Sequence, residues 1–157
     1  MKTEKTIEQK MKEAEEKSKN YFREGLNCAE CVMRSFMDMH DINLPDEIIA
    51  LSTGFGGGLG HTKNTCGAIT GAVLALGTIK GRSNPFALET PSERVKELKG
   101  VYEDFGKMVI EIENEYGTLI CSELSDPYGD FEGKIRKKNC QQIIGYCAAM
   151  CTKYAVE

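Results

Sequence analysis

Apolar residues recur along most of this chain three or four positions apart, which is the spacing of one face of an α-helix. The clearest case is residues 92–116, where the recurring apolar residues are Val95, Leu98, Tyr102, Phe105, Val109, Ile112 and Tyr116. Residues 4–24 carry a similar stripe, with charged residues between its apolar positions. The alternation typical of half-buried strands is absent, so the pattern predicts an all-α fold.

Four further helices are predicted from their composition and their start signals. Asn27 caps a helix from Cys28 to about His40, and Pro45 lies in the first turn of a short helix over residues 45–53. The next helix begins at about Cys66. It is apolar on nearly every side, which predicts a buried, central position. The last helix begins at about Cys140.

Together these elements predict one helical domain over residues 1–157, a bundle of five to seven helices. Residues 1–24 form its N-terminal amphipathic helix and residues 25–157 its cysteine-containing core. In the central helix, the small residues Gly67, Gly71 and Ala75 recur every four positions. Such a stripe allows a second backbone to approach closely.

A glycine-rich loop, residues 54–60, precedes the central helix. It matches neither the phosphate-binding loop nor the dinucleotide-binding fingerprint, so it does not indicate a nucleotide site. It is either a flexible connector or a segment whose backbone amides hydrogen-bond the sulfur atoms of a buried site. In the second interpretation the cofactor-binding residues are Gly56, Gly57, Gly58 and, in the helix that follows, Gly67.

Charge and composition argue against two classes of protein, those that bind nucleic acid and those that insert into a membrane. The chain has 20 Lys and Arg against 24 Asp and Glu, a net charge of −4, so no basic excess favours nucleic acid. The longest apolar run, residues 66–79, is shorter than the ~20 residues that span a bilayer, so we expect no membrane insertion. The chain starts with charged residues rather than an apolar signal region, and we therefore expect a cytoplasmic protein.

The chain has seven cysteines, an odd number that cannot all pair within one molecule. In a reducing cytoplasm, cysteines are typically metal ligands or redox thiols. Three of them, Cys28, Cys66 and Cys140, follow a residue able to cap a helix: Asn27, Thr65 and Asn139. A thiol at a helix start should have a pKa below its ordinary value, and Cys66, next to the glycine-rich loop, should be the most thiolate-like.

The other cysteines carry weaker signals. Cys31 completes a Cys-x-x-Cys with Cys28, but no second pair exists, and Val32 stands where a haem-attachment motif needs His. Cys147 and Cys151 share a helical face with Cys140 and are predicted to fill the core. His61 lies near Cys66 and is predicted to be a solvated loop residue.

The segments Gly25-Leu26-Asn27-Cys28-Ala29, Phe55-Gly56-Gly57-Gly58 and Cys66-Gly67-Ala68-Ile69-Thr70-Gly71, with the later single cysteines, resemble a family of redox-active proteins. The family is named for a C…CGAxxG…C…C pattern. The resemblance covers residues from about 21 to the C-terminus. The family is similar to the iron–sulfur portion of split-Soret cytochromes, and its four cysteines correspond to Cys28, Cys66, Cys121 and Cys140.

The resemblance implies that these four cysteines ligate one iron–sulfur cluster, for electron transfer or redox sensing with a partner protein or a small electron carrier. Four thiolates satisfy the usual cluster requirement, although their spacing matches no compact ferredoxin run, so the cluster type stays open. The alternatives are a cluster-free thiol–disulfide oxidoreductase and a helical scaffold with a structural zinc. The apolar stripe of residues 92–116 also leads us to expect a homodimer.

Overall fold

The computed structural model describes residues 4–156, which form seven α-helices, two short 3₁₀ helices and no strand. The all-α prediction is confirmed, while residues 1–3 and 157 of the predicted domain lie outside the described part. The α-helices are α1 (Ile7–Arg23), α2 (Cys28–Met39), α3 (Ala50–Thr53), α4 (Gly67–Lys80), α5 (Pro91–Tyr116), α6 (Cys121–Ser125) and α7 (Lys134–Ala155). The 3₁₀ helices are Asp46–Ile49 and Asp126–Tyr128. None of the described helices is both long and apolar enough to cross a membrane.

Helices α1, α2, α4 and α7 form the bundle. α7 packs against the other three, and α2 lies along α4. The interior is filled by apolar side chains from all of these helices, together with residues of α5: Phe36, Ile69, Leu76, Met108, Ile112, Ile143 and Ile144 are almost fully buried. The predicted central helix α4 thus lies in the interior, and α7 shares that position.

The close approach predicted for the small-residue stripe occurs between α4 and α2. A Cβ added to Gly71 would lie 2.9 Å from both the Cα and the carbonyl oxygen of Ala29. Ala29 is itself fully buried. Only a glycine on α4 therefore allows the two backbones to come this close at that point.

Helix α5 is covered only in its C-terminal half. Met108 and Ile112 are fully buried, whereas Val95 is 54% and Tyr102 is 59% exposed. Val95 and Tyr102 of its apolar stripe thus face solvent in the single chain, whereas Leu98 between them is half-buried.

Three predicted helix starts differ from the structure. α7 begins at Lys134, capped by Gly133, rather than at about Cys140. The first residues of α7 are mostly charged and exposed. The apolar pattern from which an amphipathic helix is predicted therefore begins several residues after the helix itself. α4 begins one residue later than predicted, with Cys66 as its N-cap, and Pro45 precedes a 3₁₀ helix instead of lying inside the first turn.

The contact between α2 and α4 can be tested with Gly71→Ala, using Gly77→Ala on the same helix as the control. Nothing lies within 4 Å of a Cβ added at Gly77. Both variants gain the helix propensity of alanine, but only Gly71→Ala places a methyl group against the backbone of Ala29. We expect Gly71→Ala to be less stable than Gly77→Ala by about 1–3 kcal/mol in urea unfolding. Equal stabilities would show that the helices separate there at no cost.

Candidate functional site

Four cysteines from four different helix ends or turns line one cavity of about 220 Å³. Cys28 is the first residue of α2, Cys66 caps α4, Cys121 is the first residue of α6, and Cys140 lies in the second turn of α7. Cys66 and Cys121 are buried, whereas Cys28 and Cys140 are half-buried. The structure therefore brings together the four residues that the family pattern singles out.

Cys28 is held by the N-terminal cap of α2, as the sequence predicts. The side chain of Asn27 accepts from the backbone N–H of Glu30 at 2.9 Å, and the Glu30 carboxylate accepts from the N–H of Asn27 at 3.0 Å. Asn27 Nδ2 also donates to the carbonyl oxygen of Thr53 at 3.0 Å. This capping box ties the start of α2 to the end of α3 and orients the cysteine that follows it.

Two of the predicted cofactor-binding glycines contact Cys28. The backbone N–H of Gly57 favours the ionised form of the Cys28 thiol, which lowers the pKa of that thiol against the larger effect of burial. Gly67 makes room for the same sulfur, because a Cβ at Gly67 would overlap Cys28 Sγ and lie 2.7 Å from the carbonyl oxygen of Phe55. The glycine-rich segments thus surround Cys28 with backbone in place of side chains.

Cys66 and Cys121 are brought together by a short antiparallel pairing. Thr65 and Ile120 form an isolated β-bridge. Around it, the N–H of Cys66 donates to the carbonyl of Leu119 at 2.8 Å, and the N–H of Cys121 donates to the carbonyl of Asn64 at 2.6 Å. Thr65 is therefore a partner of residue 120 rather than the cap of α4, and the pairing joins two cysteines that are far apart in sequence.

The glycine-rich loop is hydrogen-bonded to itself and does not act as a loose connector. The N–H groups of Gly60, Lys63 and Asn64 each donate to the carbonyl six residues earlier. The backbone is left-handed at Gly57 and Gly58, and also at Leu59 and His61, where a side chain makes this conformation costly. Gly58 is required by contact as well, since a Cβ there would lie 2.8 Å from the Cβ of Cys121.

Gly56 also serves the site indirectly. A Cβ at Gly56 would lie 2.5 Å from Nδ2 of Asn27, so the absence of a side chain allows the loop to pack against the cap of α2. The loop, the cap of α2 and the start of α4 thus form one continuous wall of the cavity.

The expected lowering of cysteine pKa values at helix starts is wrong for this structure. Burial raises the pKa of Cys66 to about 12, although the backbone N–H groups of Ala68 and Ile69 act in the opposite direction. Burial likewise raises the pKa of Cys28, despite the N–H groups of Gly57 and Ala29. Loss of hydration of a thiolate outweighs a few backbone dipoles here, so Cys66 is not a thiolate-like residue in the metal-free protein.

Cys140 departs from the prediction in a second way. It lies inside α7 rather than at its start, and Asn139 donates from Nδ2 to the carbonyl of Leu124 at 2.9 Å instead of capping the helix. Burial raises the pKa of Cys140 to about 11, while the nearby guanidinium of Arg136 lowers it. Conversely, Cys121, which has no capping signal before it, does begin a helix.

Two residues that line the cavity, Arg136 and Phe131, are not predicted from the sequence. Arg136 is only 9% exposed, and its guanidinium carbon lies 3.3 Å from the ring centre of Phe131. The ring of His61 meets the same phenyl ring edge-on, with 4.5 Å between centroids, and both residues line the cavity. Arg136 precedes Cys140 by one helical turn and lies on the same side of α7. The sequence does not predict this, because it places the start of α7 at about Cys140 instead of Lys134.

The other three cysteines do not line the cavity. Cys31 donates to the carbonyl of Leu26 at 3.6 Å, and Cys151 donates to the carbonyl of Ala148 at 3.3 Å. Cys147 is fully buried in the core. These positions agree with core filling for Cys147 and Cys151, and they leave Cys31 outside the site as well.

The side chains around the cavity that could bind a metal are the four thiols, with His61 and Glu132 also on its wall, and all seven cysteines are free. Within residues 4–156, no group of three or more Cys, His, Asp or Glu side chains is arranged to hold a single metal ion. The apolar side chains of Phe22, Ala68, Leu124, Ile143 and Ile144 complete the walls. The four thiols thus share one cavity whose wall combines apolar side chains with polar and charged ones.

The chain belongs to the family described as "Putative redox-active protein (C_GCAxxG_C_C)", which matches residues 26–154. This confirms the resemblance drawn from the cysteine and glycine motifs. No curated protein and no solved structure matches the chain.

The raised thiol pKa values predict how the metal-free protein responds to alkali. Cys66 has a folded pKa of about 12 against an ordinary value of 9.0, so its stabilising contribution is complete below pH 9 and is lost as the pH rises toward 12. The loss is at most about 1.4 kcal/mol per pH unit. Cys66→Ser keeps the shape and cannot ionise in this range, so its unfolding free energy should fall less steeply. The measurement is urea unfolding of both proteins from pH 8 to 11. If the unfolding free energy falls with pH equally steeply in both, ionisation of Cys66 is not the cause of the loss.

Proposed function

We propose that the cavity holds one iron–sulfur cluster, ligated by Cys28, Cys66, Cys121 and Cys140, and that the protein acts in electron transfer or redox sensing. The observation that carries the proposal is the convergence of four free thiols from four elements on one cavity. When bound, such a cluster supplies reversible one-electron chemistry. The residues of this chain provide the ligands, the backbone donors and the exclusion of water.

The size of the cavity supports a cluster over a structural zinc. A tetrahedral zinc site with Zn–S bonds of about 2.3 Å holds its sulfurs about 3.8 Å apart. No three donors among the described residues are arranged for a single ion. A cluster of several irons and sulfides keeps its thiolate ligands further apart, which suits four thiols around about 220 Å³.

The pKa values favour a cluster over a thiol–disulfide oxidoreductase. Attack on a disulfide requires a thiolate. Burial holds Cys66 and Cys140 protonated at neutral pH, with pKa values of about 12 and about 11. Metal binding, in contrast, supplies positive charge at the sulfur and displaces the proton. Free thiols also agree with a reducing compartment, which we propose to be the cytoplasm.

The glycine-rich wall would tune such a cluster. Hydrogen bonds to ligand sulfur and exclusion of water are two of the factors that set a reduction potential. The N–H of Gly57 acts on the Cys28 thiol in the direction that favours its ionised form. Gly56, Gly58 and Gly67 allow the backbone to stand this close to the ligands. We therefore assign these four glycines to cofactor binding through the backbone.

The cluster would be most accessible on the side of Cys28 and Cys140, because these two thiols are half-buried whereas Cys66 and Cys121 are buried. We propose that one electron enters at this side from a reduced redox protein or small electron carrier and leaves to an oxidised one. The donor and acceptor approach a surface formed by the start of α2 and the early turns of α7.

Anaerobic purification followed by iron and acid-labile sulfide analysis tests the proposal. We expect both elements in the protein, with visible absorption that bleaches on reduction. Single Cys→Ala changes at positions 28, 66, 121 and 140 should each remove most of the iron. Cys151→Ala is the matched control, since this buried cysteine lies outside the cavity, and it should retain the iron. Zinc without sulfide, or a disulfide among the four cysteines, would refute the cluster.

The exposed half of α5 supports the proposal that the protein forms a homodimer. Val95 and Tyr102 together present an apolar, aromatic surface that the chain itself does not cover. Light scattering should give about twice the monomer mass of 17.4 kDa. Tyr102→Glu should restore the monomer, because a charge on that surface opposes its burial. A monomeric mass for the unaltered protein at high micromolar concentration would contradict this prediction.

A further inference from the structure

We propose that Arg136 donates a hydrogen bond from Nε–H to a sulfur atom of the cluster and thereby raises its reduction potential. This inference rests on the proposed function, since it assigns a role toward the same cluster. Arg136 is thus a positioning and tuning residue, not a ligand.

The first observation is an unsatisfied donor inside the site. Among residues 4–156, Nε of Arg136 is the one buried side-chain nitrogen or oxygen without a hydrogen-bond partner. The residue is only 9% exposed and lines the cavity with the four thiols. A buried, unpaired N–H of a charged group is costly, and in native proteins such a group typically has a redox or catalytic role or a bound water or ion as its partner.

The second observation is the placement of the charge. Arg136 lies one helical turn before Cys140, and its field favours the ionised forms of both Cys140 and Cys28. The phenyl ring of Phe131 lies against the guanidinium, with its centre 3.3 Å from the guanidinium carbon. The ring supports the side chain by a cation–π contact and shields it from solvent.

The acidic residue nearest in sequence does not neutralise this charge. Glu132 lines the same cavity, but its carboxylate lies 3.8 Å from Lys137 Nζ and pairs with that residue. The cations facing the cavity are Arg136 and Lys137, and Lys137 is exposed. Arg136 is therefore the buried positive charge available to the cluster within the described part of the chain.

The expected effect follows from charge balance. Four thiolates give a cluster site negative charge, and the addition of one electron makes it more negative without breaking a bond. A buried guanidinium that donates to sulfur stabilises the reduced form more than the oxidised form. Removal of this charge should therefore make the cluster harder to reduce.

The test compares Arg136→Met with Lys138→Met, which removes an equal charge from an exposed position on the same helix. Each protein is loaded anaerobically and titrated with dithionite in the presence of mediators. We expect Arg136→Met to shift the oxidised-to-reduced equilibrium at least tenfold toward the oxidised form, which is about 59 mV for one electron. Lys138→Met should have little effect, because solvent and salt screen its charge.

A second readout separates tuning from a merely structural role. In the metal-free protein, Arg136→Met loses the cation–π contact with Phe131 but also removes an unpaired buried donor, whose cost offsets that loss, so its melting temperature should be no lower than that of the unaltered protein. A structural role would lower the melting temperature of the metal-free protein as well. That result, or a potential equal to that of Lys138→Met, would overturn the inference.

Arg136→Lys keeps the experiment decisive if the methionine variant does not fold or load. Lysine retains the charge but lacks the planar donor group, so the potential should lie between those of the unaltered protein and a neutral variant. An unchanged potential in Arg136→Lys would overturn the hydrogen bond from Nε. Absence of iron and sulfide from the unaltered protein would instead refute the proposed function, so the two failures are distinguishable.

Discussion

The site depends on the direct backbone contact between α2 and α4. At Gly71 the helix α4 offers no side chain where the backbone of Ala29 passes, and at Gly67 it offers none where Cys28 Sγ lies. A methyl group at either position would push α2 outward and carry Cys28 away from Cys66. The remaining elements are then arranged around this crossing: α7 packs against both helices and contributes Cys140.

Burial dominates the chemistry of the thiols. The start of a helix favours a thiolate, but the cost of removing its hydration is larger, and so the pKa of Cys66 rises to about 12. Cys66 and Cys140 are therefore neutral thiols in the metal-free cavity. A group that carries positive charge reverses this balance, because it interacts with thiolates at close range in surroundings of low dielectric. Loading of the cavity would accordingly release protons and contribute to the stability of the fold.

The cavity combines these neutral thiols with a buried cation. Phe131 lies against Arg136 on one side, while His61 and Lys63, which directly follow the glycine-rich loop, meet the same ring. The ring thus connects α7 to the loop that surrounds Cys28. This arrangement places a buried positive charge beside the four thiols of the cavity, where it favours their ionised forms.

The sequence by itself determined the long helices except the start of α7, the cap at Asn27 and the family, since each depends on neighbouring residues or a motif. The small-residue stripe of α4 likewise predicted a close helix contact. Tertiary structure alone decided the rest. The bridge between Thr65 and Ile120 joins Cys66 to Cys121, and such a pairing of distant segments leaves no local pattern. The pKa of each thiol was also decided there, because it depends on how much water the packed helices exclude, and that quantity belongs to the whole fold.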